Sequence, residues 1–213
     1  MIDCVTLETS HLFGSALASQ HRLRHRVFVE RQQWNIPSYR GMEYDQYDTP
    51  AAHYLVWRDE TGEARGVSRL SPTDRPYMLA DQWPDMVSKA DLPASPDVWE
   101  GTRFGIDRDL DPALRKRILG ELVTAYLEFC LRHGVRQIVG VMPTLIWRAV
   151  FVNSGWPVEF MGDVRRLGPD KVAAGAMDVS PGVLARVRAK TGVHEPVLRT
   201  ADDLLMQQRA LVA

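Results

Sequence analysis

Hydrophobic and polar positions along the first fifty residues predict one strand, one helix and one loop. Alternation over residues 2–6 indicates a short strand. Apolar residues then recur at helical spacing over residues 11–31, and Ser10 is the expected cap of this helix. Residues 35–50 are rich in charge and turn formers, so we expect an ordered loop there.

The middle of the chain shows the alternation typical of β-strands. Residues 54–57 and 66–70 are predicted to form a hairpin through a turn at residues 59–62. A short helix is expected near residues 77–82, and a further strand over residues 98–106.

The second half returns to alternating helix and strand. An amphipathic pattern predicts a long helix over residues 113–133, which Gly134 would end. A strand over 137–142, a helix over 144–154 and a strand over 158–167 follow, and the last forty or so residues favour one or two helices. We therefore expect an α/β fold, one mixed sheet between helices, as a single domain over residues 1–213.

Composition excludes several classes of protein. A net charge of -1 over 213 residues argues against a nucleic-acid binder, which needs excess Lys and Arg. The two cysteines, Cys4 and Cys130, are far apart in the sequence, which fits a reducing compartment. The sequence contains no Cys/His cluster of the kind that binds a metal, so we expect no metal site. The chain starts without a signal-peptide pattern and has no membrane-length apolar run, so we expect a soluble cytoplasmic protein with no membrane association.

Two ionisable residues inside a predicted core strand are the first candidates for chemistry. Glu100 and Arg103 lie between apolar neighbours, and burying them is costly unless they have partners. Regular alternation would put them on opposite faces of the strand. We therefore predict a β-bulge at Gly101 that brings both toward one site. The alternative is a structural Glu–Arg pair at a sheet edge.

Other candidates precede this strand. Arg24 and Phe28 share one helical face, and Trp34 follows shortly after. The simpler explanation is that Phe28 and Trp34 pack in the core and that Arg24 is a solvated neighbour. Asp45 and Asp48 occur in an acidic, aromatic loop that lacks the spacing of a calcium site. They could serve as turn or capping residues. Alternatively, they pair with the fixed cation Arg69 and organise a pocket mouth.

Taken in order, these residues resemble the signature of the acyl-homoserine lactone synthases, the autoinducer synthases of bacterial quorum sensing. The resemblance runs from about residue 24 to residue 103 and continues more loosely to residue 156. It is carried by Arg24-x-x-Val27-Phe28, Trp34, Asp45-x-x-Asp48, Gly66-x-x-Arg69 and Trp99-Glu100-x-x-Arg103-Phe104.

This resemblance implies a GNAT-like fold with a splayed mixed sheet and a two-step reaction. An acyl group would pass from a thioester to the amine of S-adenosylmethionine (SAM), which is a substrate and not a permanent cofactor. Lactone closure would then release methylthioadenosine (MTA).

The same resemblance suggests roles for the candidate residues. Glu100 would be the general base. Arg103, or as second choice Arg24, would bind the SAM carboxylate. Phe28 and Trp34 would contact the adenosine–sulfonium portion of SAM, since aromatic faces attract a sulfonium cation. The remaining charged residues would hold the amino-terminal region closed over the ligands; these are Asp45, Asp48 and Arg69.

The sequence departs from the resembled family in two places. Gly101-Thr102 replace the common Leu-Ser pair, and Met142-Pro143 occupy part of a region where makers of 3-oxo products tend to carry a small hydroxyl residue. We therefore expect an acyl group without a 3-oxo function, which could be short, branched or aryl. Its candidate pocket residues are Met142, Leu145, Ile146 and Trp147.

The acyl donor and two rival functions stay open at this point. An acidic acyl carrier protein could dock on the basic residues Arg148, Arg165, Arg166 and Lys171, although scattered surface basics are the simpler explanation. Acyl-coenzyme A is the other possible donor. A GNAT-type acyltransferase acting on another amine is one rival, and a non-catalytic acyl-thioester or nucleotide sensor is the second. Only a SAM-dependent synthase would release MTA.

Overall fold

One mixed sheet runs through residues 1–212, the part of the chain that we describe from a computed structural model. The last residue of the predicted 1–213 domain lies outside it. The strands are β1 (Ile2–Val5), β2 (Ser38–Tyr39), β3 (Met42–Glu43), β4 (His53–Arg58), β5 (Ala64–Pro72), β6 (Val98–Ile106), β7 (Gln137–Pro143), β8 (Glu159–Phe160), β9 (Arg165–Leu167), β10 (Asp170–Asp178) and β11 (Leu198–Arg199). The α-helices are α1 (Ala16–Arg24), α2 (Met78–Gln82), α3 (Pro112–Arg132), α4 (Thr144–Ile146), α5 (Pro181–Thr191) and α6 (Ala201–Val212).

The sheet opens between two of its central strands. Its order is β11-β1-β4-β5-β6-β7-β10-β8, with β9 beside β10, while β2 and β3 form a separate hairpin. β6 and β7 are parallel, and they pair only where Val98–Glu100 faces Gln137–Val139. Both strands continue beyond this point, so they separate and leave a gap. The splayed mixed sheet that the resemblance implied is thus confirmed.

Helices cover both faces of the sheet. α3 packs on one face, where Leu122 and Phe129 belong to the largest apolar core. α1 packs on the other face, where Leu23 and Val67 belong to a second core. The start of α3 is fixed locally, because the Asp111 side chain accepts a hydrogen bond from a first-turn N–H and proline follows it. No helix within residues 1–212 is both long and apolar enough to cross a membrane.

The hairpin of β4 and β5, strand β6, helix α3 and strand β7 occur where the sequence predicts them. The helix predicted over residues 11–31 is instead broken into three pieces. A 3₁₀ turn at Ser10–Phe13 ends at Gly14, α1 follows, and a π-helix spans His25–Arg31. The prediction of Ser10 as a helix cap is wrong, since its hydroxyl donates to the Leu7 carbonyl upstream.

Other boundaries also differ from the predictions. The predicted loop over residues 35–50 contains the hairpin of β2 and β3, and the single strand predicted over residues 158–167 is divided into β8 and β9. The helix predicted over residues 144–154 becomes a π-helix from Trp147 to Val152 after one α-helical turn. β10 and β11 were not predicted, because the sequence there was assigned only helices.

Candidate active site

A cavity of about 410 Å³ lies at the gap between β6 and β7. Arg103 of β6 and Trp34, just beyond the π-helix, line one side of it. Val141 and Met142 of β7 line another part, together with Met78 of α2. The cavity thus combines a cation and an aromatic ring with an apolar wall, a composition suited to a charged small molecule that carries an apolar group.

A β-bulge shapes this side of the cavity, but not at the predicted position. The ladder with β5 is regular through Gly101, which pairs with Leu70, so the predicted bulge at Gly101 is wrong. The irregularity lies two residues later, where Ser68 alone faces Arg103 and Phe104. Two residues opposite one define a bulge.

The bulge brings Arg103 to the same side of the sheet as Glu100. Arg103 has a left-handed backbone with φ of 54°, which is uncommon for a residue with a side chain. Thr102 and Arg103 therefore both contact charged groups on the α1 side, while Phe104 packs against Tyr126 of α3. Glu100 and Arg103 therefore lie on one face of the sheet, as expected, but the bulge at Arg103 causes this and not a bulge at Gly101.

Arg103 belongs to a network of three guanidinium and three carboxylate groups, which we call the ion-pair cluster. Arg69 contacts Asp45 and Asp48 at 2.5 and 2.9 Å, as the cation between two carboxylates that the sequence suggested. The members are Arg24, Glu43, Asp45, Asp48, Arg69 and Arg103, and each side chain is at most 7% exposed. Their formal charges cancel, so each buried charge has an opposite neighbour.

Arg24 is the buried centre of this cluster and does not line the cavity. Its guanidinium makes two hydrogen bonds to Asp48, at 2.7 and 2.9 Å, and a third to Glu43 at 2.5 Å. Its side chain is 0% exposed, so its other N–H groups are not accessible to a substrate in the cavity. The second-choice role of Arg24, binding a substrate carboxylate, is therefore corrected to holding Glu43 and Asp48 in place.

Asp48 depends on the cluster for its charge. Burial alone would raise its pKa, but hydrogen bonds from Arg24 and the charges of Arg24 and Arg69 hold the pKa well below its usual range. Tyr54 adds a further hydrogen bond of 2.9 Å to the carboxylate. Asp48 is therefore ionised at neutral pH.

Replacing Asp48 by Asn is expected to destabilise the protein strongly. The substitution leaves Arg24 and Arg69 buried with too little opposite charge, which typically costs about 3–5 kcal/mol. Urea unfolding of the variant and the wild type measures this difference in free energy. Asp97→Asn, which removes an exposed partner of Arg136, is the matched control and should change the free energy of unfolding little. Equal small effects for both variants would contradict a structural role for the cluster.

The aromatic candidates form a stack at the cavity wall. Phe28 and Trp34 have ring centroids 5.0 Å apart and an interplanar angle of 20°. Trp34 is 41% exposed and lines the cavity, whereas Phe28 is buried behind it. The Arg103 guanidinium lies 5.7 Å from the Phe28 ring centroid. Phe28 therefore supports both Trp34 and Arg103 from the interior.

Glu100 lies behind the cavity wall, where it caps α2. Its two carboxylate oxygens accept hydrogen bonds from the backbone N–H groups of Leu79 and Met78, at 2.7 and 2.9 Å. Burial raises the pKa of Glu100 to about 7, against the lowering effect of these two N–H groups. A carboxyl group with a pKa near neutrality can exchange protons at physiological pH.

Only one of the four predicted acyl-pocket residues lines the cavity. That residue is Met142, whereas Leu145 and Ile146 are 75% and 40% exposed. Trp147 is buried in the core on the α3 side and donates a hydrogen bond to the Ala173 carbonyl at 3.0 Å. The chain turns into α4 at Thr144, and residues 144–147 do not line the cavity.

The predicted basic patch is divided between two elements. Arg166 and Lys171 face each other across the β9–β10 hairpin, and both are exposed. Arg165 of this hairpin is paired with Asp85. Arg148 is exposed on the π-helix that follows α4.

The sequence analysis missed Glu43 and Tyr47. Glu43 is fully buried and bridges Arg24 and Arg103. Tyr47 is 4% exposed, lines the cavity and accepts a hydrogen bond from Gln82 at 3.3 Å. Both occur in the acidic, aromatic loop already singled out, so its density of charged and aromatic residues was the available signal.

Comparison with a solved structure shows the kind of fold. The mixed sheet that opens between β6 and β7 is GNAT-like, and a structure from Lactobacillus plantarum described as an N-acetyltransferase shares it with a TM-score of 0.52 at 17% identity, covering 78% of this chain and 93% of that one. At that identity only the fold is shared.

Comparison with more similar proteins identifies the family. The family model described as autoinducer synthase matches residues 8–187. An isovaleryl-homoserine lactone synthase of Bradyrhizobium diazoefficiens is 33% identical over 164 residues, 76% of this chain and 72% of that protein. Structures of BjaI, a CoA-dependent acyl-homoserine lactone synthase, one with MTA and one with SAM and isopentyl-CoA, align with a TM-score of 0.84 at 27% identity over 99% of both chains. The chain therefore belongs to the autoinducer synthase family and is an acyltransferase of the acyl-homoserine lactone synthase type, which confirms the predicted family and activity.

Proposed function

We propose that the protein acylates the amine of SAM from an acyl thioester and then closes the product to a lactone. In the first step the nitrogen bonds to the thioester carbonyl carbon, the carbon–sulfur bond breaks and the carrier leaves as a thiol. In the second step a carboxylate oxygen attacks the carbon attached to the sulfonium, which leaves as MTA. The observation that best supports this proposal is the cavity that joins Arg103 and Trp34 to the apolar wall of β7.

In this proposal Arg103 binds the carboxylate of SAM. One of its terminal nitrogens is held by Glu43 and Asp45, at 3.1 and 2.7 Å. For the other, the Met78 sulfur at 3.7 Å is the only hydrogen-bond partner within residues 1–212, which leaves this nitrogen available to the cavity. A guanidinium–carboxylate pair gives both charge and direction, which would orient the carboxylate for ring closure. Trp34 would face the sulfonium, because aromatic faces attract cations.

Glu100 is the proposed general base. It neighbours the cavity through Met78, which lines the cavity and whose N–H the carboxylate binds. The substrate amine would lose its proton to Glu100, directly or through a water, as the amide bond forms. The proton would then pass to the departing thiolate, so the carboxylate is regenerated in each cycle.

The pKa of Glu100 predicts how the rate depends on pH. A general base must be deprotonated, so kcat/KM should fall as the pH drops below about 7, approaching tenfold per pH unit. Initial rates of MTA release between pH 5.5 and 8.5 measure this limb. A profile that stays flat down to pH 5.5 would exclude a base with this pKa.

The ion-pair cluster would keep the loop of Asp45 and Asp48 closed over the ligands. Arg69, on β5, anchors both carboxylates to the sheet, while Arg24 connects Asp48 to α1. Because one continuous sheet contains strands from both ends of the chain, β1 and β11, we propose that residues 1–213 act as a single domain.

For the acyl donor we propose coenzyme A carrying a short branched chain. The support is twofold: BjaI is described as CoA-dependent, and the Bradyrhizobium relative is named for an isovaleryl product. Val141 and Met142 provide the apolar wall such a chain needs. Acyl carrier protein is the alternative donor, and the exposed cations that it would meet include Arg148, Arg166 and Lys171.

Turnover with matched donors tests this function. Purified protein, SAM and isovaleryl-CoA should release MTA and isovaleryl-homoserine lactone, with kcat/KM at least about tenfold above that for isovaleryl-acyl carrier protein. Mass spectrometry identifies the lactone. A preference for the carrier protein, reduced by a joint Arg166→Glu and Lys171→Glu change, would contradict the donor proposal. Acylation without MTA would contradict the lactone synthase proposal itself.

A further inference from the structure

A hydrogen-bonded chain crosses from α3 to the bulge that carries Arg103. Tyr126, 1% exposed on α3, is hydrogen-bonded to the Ser68 hydroxyl. The Ser68 hydroxyl in turn donates to the Thr102 carbonyl at 3.0 Å. A carbonyl can only accept, so the single Ser68 proton is committed to Thr102, and Tyr126 must be the donor to Ser68.

This chain ends at the point where the ladder is irregular. Ser68 is the residue that faces both Arg103 and Phe104, and its side chain binds the carbonyl immediately before them. Thr102 is also fixed on the opposite face, because its hydroxyl accepts a hydrogen bond from Arg69 at 3.0 Å. The left-handed backbone of Arg103 therefore follows directly after a residue that is held from both sides.

Gly101 gives Tyr126 access to this position. A Cβ atom at Gly101 would lie 3.0 Å from the Tyr126 hydroxyl and 3.2 Å from a ring carbon. Any larger residue would displace the ring, so Gly101 and Tyr126 depend on each other. This accounts for the glycine in the strand where the resembled family commonly has leucine.

We propose that Tyr126 is a positioning residue for Arg103: through Ser68 and the Thr102 carbonyl, its hydroxyl holds the bulge that directs the guanidinium into the cavity. Tyr126 itself lies on the other face of the sheet and need not touch the substrate. The kinetic form of this inference rests on the proposed binding of SAM by Arg103.

Tyr126→Phe keeps the ring and removes only the donor. We expect the KM for SAM to rise about five- to tenfold, the effect of one lost buried hydrogen bond, with kcat changed less than about twofold. Ser68→Ala should have the same effect. The KM for SAM of the double variant should be no higher than that of the more impaired single variant, because both residues belong to one hydrogen-bonded chain. Gly101→Ala should also raise the KM.

Ser154→Ala is the matched control, since it removes another buried serine hydroxyl that donates to a backbone carbonyl, that of Val150. It should lower the melting temperature without changing the KM for SAM. An unchanged KM in Tyr126→Phe, or additive effects in the double variant, would overturn the inference.

A crystal structure of Tyr126→Phe tests the same inference without any activity. We expect Arg103 to leave the left-handed region or its guanidinium to move away from Asp45. An unchanged bulge would overturn the inference. If the wild type releases no MTA, the proposed function fails, and this structure alone decides on Tyr126.

Discussion

Glu100→Gln is expected to lower the rate of MTA release by at least about 100-fold, the usual contribution of a positioned general base. The amide is nearly isosteric with the carboxyl group but cannot take a proton from the substrate amine. Its carbonyl oxygen can still accept one of the two hydrogen bonds that the backbone N–H groups of Leu79 and Met78 donate at the start of α2. The variant should therefore fold, with a loss of about 1–3 kcal/mol in the free energy of unfolding.

The control for this prediction is another buried glutamate. Glu121 is 5% exposed, binds the amino terminus and Arg117, and does not line the cavity. Glu121→Gln should lower stability while the rate of MTA release stays near that of the wild type. Full activity in a folded Glu100→Gln variant would remove Glu100 from the mechanism and leave it as the cap of α2.

Arg103→Ala is expected to weaken SAM binding by about 10- to 100-fold, because a charge-assisted hydrogen bond contributes about 1.5–3 kcal/mol. Isothermal titration of SAM in the absence of acyl donor measures this directly. Arg103→Lys keeps the charge but loses the planar fork, so it should recover only part of the affinity. The left-handed backbone at this position would strain either side chain equally, which makes the pair a fair comparison.

Loss of another ion-paired arginine is the control that separates an effect on SAM binding from a general loss of stability. Arg58 of β4 is mostly buried and binds Asp3 of the neighbouring strand β1, away from the gap between β6 and β7. Arg58→Ala should lower the melting temperature and leave the dissociation constant of SAM unchanged. Unchanged SAM affinity in Arg103→Ala would contradict the assignment of Arg103 to the carboxylate.

Local patterns were sufficient for much of the central sheet. The strands β4 and β5 follow from alternation around a turn, and α3 follows from its apolar spacing together with Gly134. Tertiary contacts decided the rest. β10 consists largely of alanine and glycine in its buried part, a composition with low strand propensity. It is a strand because it pairs with β7 and packs under Trp147.

The bulge illustrates the same limit at the site. A glycine is the residue that sequence rules associate with bulges, so Gly101 was the natural prediction. The left-handed residue is instead Arg103, which is kept in place by Glu43 and Asp45 from a distant loop. Glycine is required at position 101 for a different reason, because the Tyr126 side chain approaches the backbone there. Neither contact is visible in the spacing of residues along the strand.

It was easier to predict which residues lie at the site than to predict the role of each one. Asp45, Asp48 and Arg69 were expected to lie together, and they do. Arg24 was expected to have a choice between solvent and substrate, but burial and three hydrogen bonds commit it to the cluster. Apolar character likewise suggested Leu145 for the acyl pocket, although it is 75% exposed.

A crystal structure of the protein with SAM tests the central assignment most directly. We predict that the SAM carboxylate lies within hydrogen-bond distance of the Arg103 guanidinium, with the sulfonium against Trp34 and the amine on the side of Glu100. A SAM molecule bound with its carboxylate elsewhere, and Arg103 contacting only Glu43 and Asp45, would contradict it.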